Sequence, residues 1–166
     1  MLPLSDLVAR YLRLRAIAMK LNAVLLEQLP KDAFEEGGRE LGFLSKGVFV
    51  FDSEDESAIL MDYCLYNVLR QGRNTIQNFL ARNPPLEGSE ESLLLQGMSK
   101  AWYSLFGVEV VEPGAGVRVQ DVFRQTKYLL IDIGLSRSAV PGALLATRVI
   151  PADGFLMTTG DRKSVV

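Results

Sequence analysis

The spacing of apolar residues changes part-way along the chain. Up to about Leu105 they recur at the period of helices, and from Phe106 they fall into short strand-length runs separated by Gly, Pro and Asp. The pattern predicts an α+β fold. Residues 1–105 form a helical N-terminal part, packed with a small five-stranded β-barrel or strongly bent antiparallel sheet over 106–160, and 161–166 read as a polar tail. The length of 166 residues suits one core, or two small subdomains sharing one.

Ser5, just after Pro3, is placed to cap a first helix that stops near Leu29, before Pro30. Its stripe of Leu7, Tyr11, Leu14, Ile17, Ala18, Leu21 and Leu25 has the width of a core-facing surface. Arg10, Arg13, Arg15 and Lys20 give the segment the basic bias of a transit peptide, but so regular a stripe favours a core helix. Asp32 and Glu35 have capping-box spacing and open a short helix that Gly37-Gly38 interrupts or ends. Val48-Phe49-Val50-Phe51 reads as a compact buried run.

A second capping pattern, Ser53 with Glu56, precedes a helix running to about Arg70 that is apolar nearly all round, the expected central helix. Asn74 can cap a short helix through Leu80, stopped by Asn83-Pro84-Pro85. Ser89 opens a helix to about Leu105 with Leu94, Met98, Ala101, Trp102 and Leu105 on one face. Gly97 interrupts it, which close packing against a neighbour would explain. The five strands are expected at Val108–Glu112, Val117 to Val119 or Phe123, Tyr128–Ile133, Ala143–Ile150 and Phe155–Thr159. Turn chemistry lies between them.

Composition narrows the function classes. At 48% hydrophobic, 23% charged and a net charge of −2, the chain is globular rather than disordered or generally nucleic-acid-binding. The single cysteine, Cys64, cannot form an intrachain disulfide, and no apolar run reaches membrane-spanning length. A cytoplasmic protein without membrane association is expected. There is no histidine, which removes the commonest general base and the commonest metal ligand, and with them Ser-His and Cys-His nucleophile pairs. No glycine-rich phosphate loop is present, since Pro113-Gly114-Ala115-Gly116 precedes a strand rather than a helix. The acidic knot Asp52, Glu54, Asp55 and Glu56 lacks the spacing of a calcium loop and suits a helix start, so neither metal nor cofactor is expected. Cys64 reads as an inert core thiol.

Asp62 is the most informative single residue, being the lone charge between Ala58 and Leu69. A buried carboxylate needs a partner or a shifted pKa. Asp55 lies seven residues earlier and Tyr66 one turn later, so all three can share a helix face. A structural ion pair with an arginine is the plainer reading; the functional one makes Asp62 and Asp55 catalytic carboxylates, with Arg137 or Arg148 contacting an anion. Charge is also unevenly spread: residues 31–62 hold nine acidic and three basic side chains, and residues 113–166 hold seven basic and four acidic. Arg118, Arg124, Lys127, Arg137 and Arg148 therefore outline a basic β surface, either for an acidic partner or as internal complementarity. Candidate ligand-binding residues are Arg118, Arg137, Arg148 and Tyr66.

The stretch Gly116–Gly160, GVRVQDVFRQTKYLLIDIGLSRSAVPGALLATRVIPADGFLMTTG, resembles the β-rich portion of uncharacterised bacterial proteins. The shared pattern is a strand, an Asp-Val or Asp-Leu corner, a turn, a second strand, a Ser-Arg-Ser loop, a Pro-Gly turn and an Ala-Thr-Arg strand ending in Thr-Gly. Some of those proteins continue into a Cys/His metal-binding tail resembling a SEC-C motif, which these 166 residues do not contain. The resemblance implies a fold and carries no activity. The expected function is a noncatalytic binding or scaffold module with a protein partner or a homo-oligomeric state. The alternative is a small carboxylate-dependent enzyme or a nucleic-acid-associated accessory protein using the basic β surface.

Overall fold

The computed structural model describes the backbone of residues 2–165 and the side chains of residues 2–159. The order of elements is α1 (Leu4–Glu27), α2 (Ala33–Leu41), β1 (Leu44–Ser45), β2 (Val48–Phe49), α3 (Glu54–Tyr66), α4 (Thr75–Arg82), α5 (Glu90–Ser99), β3 (Trp102–Glu112), β4 (Gly116–Asp121), β5 (Thr126–Ile131), α6 (Ile133–Ser138), β6 (Leu144–Ala152) and β7 (Phe155–Val165). The fold is α+β, with β3 to β7 forming a closed five-stranded barrel.

The stripe along α1 organises the helical part. Leu7, Tyr11, Leu14, Ala18, Leu21 and Leu25 are all buried. They share one core with Leu65 and Tyr66 of α3, Ile76 of α4, Leu94, Leu95 and Met98 of α5, and Ile131, Ile150, Phe155 and Met157 on the barrel's outer wall. A second core fills the barrel with Phe106, Val108, Val117, Val119, Leu130, Leu145, Val149 and Leu156, and Leu135 of α6 joins it. Strand alternation explains the division: Leu145 and Val149 face into the barrel, whereas Arg148 and Ile150 face the helices.

The barrel runs β3-β4-β5-β7-β6 and closes through β3 and β6. It is not wholly antiparallel, because β5 and β7 pair in parallel. After β5 the chain passes through α6 and lays β6 against β3, and β7 then turns back into the gap beside β5. The barrel thus has no free edge to cap.

Several boundaries differ from the expected ones. The helix opened by Ser89 ends at Ser99 rather than Leu105, and β3 begins at Trp102 rather than Val108. From Trp102 onward the chain pairs along β6, and alternate positions Ser104, Phe106 and Val108 become buried, so sheet pairing overrides the helical spacing of Ala101, Trp102 and Leu105. Likewise α3 ends at Tyr66 instead of Arg70. The next residues form a tight turn in which Gln71 and Gly72 have φ of 54° and 75° and Arg70 and Arg73 exchange backbone hydrogen bonds. Nor is α3 surrounded by protein, since Met61 is 42% exposed.

The Gly37-Gly38 pair lies inside α2 without ending it; Gly42, with φ of 77°, ends it. A Cβ at Gly37 would sit 2.8 Å from Cys64 Sγ and one at Gly38 would sit 2.5 Å from the Phe49 ring, so the pair lets α3 and the β1–β2 hairpin close onto α2. Side-chain caps form at Asn74 and Ser89, as expected, and also at Asp132. They are absent at Asp32 and Ser53, and α1 starts at Leu4 with Pro3 rather than Ser5 at its cap. The backbone of 161–165, expected as a polar tail, continues β7 in pairing with β6. Its side chains, and Val166, lie outside the described residues.

Candidate functional site

Asp62 meets Arg148 across the boundary between helices and barrel. Arg148 Nε donates to Asp62 Oδ2 at 2.9 Å, and the two residues are 8% and 7% exposed. The guanidinium also donates through Nη2 to Asn67 Oδ1, at the C-terminal end of α3. It lies 4.6 Å from the Tyr66 ring centroid and 5.8 Å from that of Tyr103. Arginine suits this place because its planar fork can pair, donate and stack simultaneously. Burial, foremost, and the Asp62 charge raise the Tyr66 phenol well above its usual range, against the lowering pull of Arg148, so this hydroxyl stays protonated.

Two cavities flank the pair. One, of about 210 Å³, lies between α1, α3 and the barrel wall, bounded by Arg15, Asn22, Met61, Asp62, Tyr66 and Thr159 among others. The other, of about 370 Å³, opens beside Tyr63, Asn67, Tyr103 and Arg148. Asp62 Oδ1 and Thr159 Oγ1 are buried with no hydrogen-bond partner among the described residues.

Of the residues singled out from the sequence, Asp62, Tyr66 and Arg148 come together here, while Asp55, Arg118 and Arg137 do not. Asp55 is exposed in the first turn of α3, about 10 Å along the axis from Asp62. Arg137 is exposed in the last turn of α6. Arg118 pairs with Glu112 at 2.6 Å, and its neighbour Lys127 pairs with Glu109 at 3.3 Å.

Two features escaped the sequence reading. Asp121, at the Asp-Val corner, is fully buried and accepts hydrogen bonds from Trp102 Nε1, Ser104 Oγ and the backbone N–H groups of Phe123 and Arg124. Burial raises its carboxyl, yet these donors outweigh that and hold it below the usual carboxylate range. Arg124 lies 3.9 Å over the Trp102 ring and completes the corner. An aspartate at a strand end followed by turn residues is the available signal.

The second missed feature is the β1–β2 hairpin. Lys46 and Gly47 both have positive φ, 51° and 77°, the two-residue turn that joins short strands. With no third strand to cover it, the expected buried run is exposed: Val48 is 61% and Val50 is 55% accessible, and Phe34, Phe49 and Phe51 are also exposed. Phe49 stacks on Phe51 at 6.1 Å between centroids, and Phe43 meets Phe51 edge-on at 5.5 Å. Asp52, Glu54 and Asp55 follow directly and form no ion pair among the described residues.

A family model matches residues 5–162, which takes in the helices as well as the barrel. The chain belongs to a family of unknown function, DUF7986. No curated protein and no solved structure matches it. Membership in DUF7986 thus extends well beyond the barrel stretch on which the sequence resemblance rests, and it assigns no chemistry. The described residues of this DUF7986 chain contain no group of three or more acidic or cysteine side chains able to hold a metal, and no helix long and apolar enough to cross a membrane.

Proposed function

We propose that this protein is a noncatalytic binding module that docks a basic, apolar segment of another protein on the face formed by α2 and the β1–β2 hairpin. The observation that carries this reading is the exposed cluster of Phe34, Val48, Phe49, Val50 and Phe51 on a two-stranded element too small to bury them. Asp52, Glu54 and Asp55, without an ion pair among the described residues, follow the cluster directly and match a cationic partner. A second copy of the chain would bring the same acidic rim against itself, which disfavours a homo-oligomer through this face. The lone buried thiol suits a reducing compartment, so the cytoplasm is the proposed setting.

Carboxylate catalysis finds less support. Asp62 is held by Arg148 and Asp55 stands far from it. A nucleic-acid role by the barrel has similar difficulty. The strand order, with a helix between the third and fourth strands, follows the Greek-key plan of oligonucleotide-binding barrels, but that is analogy of fold. On the β4–β5 face Arg118 and Lys127 are paired with glutamates, and stacking would fall chiefly to Phe123.

The test is cross-linked co-purification of the full chain from a cellular extract, run beside Phe49→Ser/Phe51→Ser and Asp52→Lys/Asp55→Lys variants. A basic protein retained by the wild type and lost from both variants is the expected result. Retention of the same proteins by all three, with unchanged melting temperatures, would refute the docking face. Analytical ultracentrifugation of the wild type decides the self-association alternative.

A further inference from the structure

The cavity between α1, α3 and the barrel gathers its polar groups at one place. β6 and β7 shift register between the pairs Thr147↔Arg162 and Val149↔Thr158, so the β7 backbone beyond Thr158 bulges away opposite Arg148. Arg15 Nη1 donates to the carbonyl of Thr158 at 3.3 Å, and Thr159 and Asp62 line the same cavity. The bulge therefore brings a guanidinium, a hydroxyl and a buried carboxylate together. The rest of the lining includes Ala18, Leu26, Met61, Leu65, Met98 and Ile150.

Three observations point to an occupant. Asp62 is 7% exposed, and while Oδ2 is taken by Arg148, Oδ1 has no donor among the described residues. Thr159 Oγ1 is likewise buried and, among the described residues, unpartnered. A group left so has lost its hydration with nothing in return, and the loss is greatest for a charged one. Third, Arg15 is partly buried and has no acidic partner among the described residues. The carboxylate torsion is soft, so a modest rotation, shared by both oxygens, would turn the covered Oδ1 toward a donor seated in the cavity. At about 210 Å³ the space exceeds the roughly 150 Å³ that accommodates benzene in an apolar cavity.

We propose that this cavity binds a small carboxylic acid with an apolar body and a hydroxyl or amino donor beside the carboxylate. The carboxylate pairs with Arg15, the donor serves Asp62 Oδ1, and Thr159 Oγ1 donates to or accepts from the same head. The aliphatic body lies among Leu26, Met61, Leu65, Met98 and Ile150. This site is separate from the hairpin face, so its failure would leave the docking reading untouched.

Calorimetric titration of the full chain with 2-hydroxyisocaproate, L-leucine and isocaproate tests the proposal. The first two carry hydroxyl and ammonium donors on nearly the same skeleton, and isocaproate carries none. Saturable binding of at least one donor-bearing acid is expected, with isocaproate weaker by about tenfold, the loss of one hydrogen bond to a charged group. Preference between the first two identifies the donor. Ala18→Leu fills the cavity without touching a polar group and should abolish binding while the melting temperature holds or rises. Arg15→Gln should weaken both acids together. No saturation with any probe, equal binding of isocaproate, or undiminished binding by Ala18→Leu would each overturn the assignment.

Discussion

Between Asp62 and Arg148, removing one partner leaves the other charge buried, and such breaks typically cost about 3–5 kcal/mol. Arg148→Ala should therefore lower stability by about that amount in a denaturant titration. Arg148→Lys should rescue only part, because a single ammonium cannot reach Asp62 and Asn67 while stacking on Tyr66. Asp121 supplies a pH prediction. Its folded pKa lies below the ordinary 3.8, so its contribution is present above that value and is lost as pH falls through the lower folded value. Asp121→Asn should reduce stability at neutral pH and flatten the acid limb below about pH 4, measured by thermal melts across pH. Cys64 is fully buried, its thiol donates to the Ala33 carbonyl, and burial, then the Glu36 charge, push its pKa up to about 11. Iodoacetamide at pH 8 should label it only on unfolding, which mass spectrometry checks directly.

Among the secondary-structure elements, the glycines separate close contact from helix breaking. A Cβ at Gly97 would lie 2.2 Å from the Pro151 carbonyl oxygen, so the missing side chain lets α5 approach the β6 backbone closely at this point. Gly97→Ala should destabilise by about 1–3 kcal/mol despite alanine's better helix propensity. Gly38 faces the Phe49 ring, which can move, so Gly38→Ala should leave global stability nearly unchanged while shifting the hairpin resonances. The sequence could present Gly97 as a packing site because it sits inside a strong apolar stripe. It could not do so for Gly37-Gly38, where adjacent glycines look the same whether they end a helix or admit neighbours. Caps show a similar split: Asn74 and Ser89 work through local backbone bonds, while Asp32 adopts φ of 70° and forms no side-chain cap.

Across the whole molecule, the helical part and the barrel are joined by one core. α1 buries its stripe against α3, α4 and α5 and against residues of β5, β6 and β7, so neither part can unfold without exposing the other's apolar surface. Trp102 fluorescence, which reports the barrel, and far-ultraviolet circular dichroism, which reports the helices, should therefore lose their native signals at the same denaturant concentration. Two separated midpoints would contradict a shared core. The surface also gains its character at this scale: Arg118 and Lys127 of the β4–β5 face are paired with β3 glutamates, while Asp52, Glu54 and Asp55 after β2 have no ion pair among the described residues and lie beside exposed aromatics.

Local chemistry is legible in the order of residues. The helical period of α1, the caps at Asn74 and Ser89, the turns at Pro113–Gly116 and Pro151–Gly154 and the α+β division all follow from interactions within a few residues, whereas α6 stands in a stretch whose composition reads only as a turn. Asp62 was legible as a lone charge in an apolar helix, since desolvation makes any such residue seek a partner. Which partner it found was decided only in the tertiary structure, because Arg148 lies 86 residues away and its meeting with Asp62 depends on the face that β6 turns toward α3. The parallel β5–β7 pair, the early start of β3 and the exposure of Val48–Phe51 have the same origin. Each depends on whether a neighbouring strand or helix arrives to pair or cover it, and no periodicity within the segment encodes that arrival.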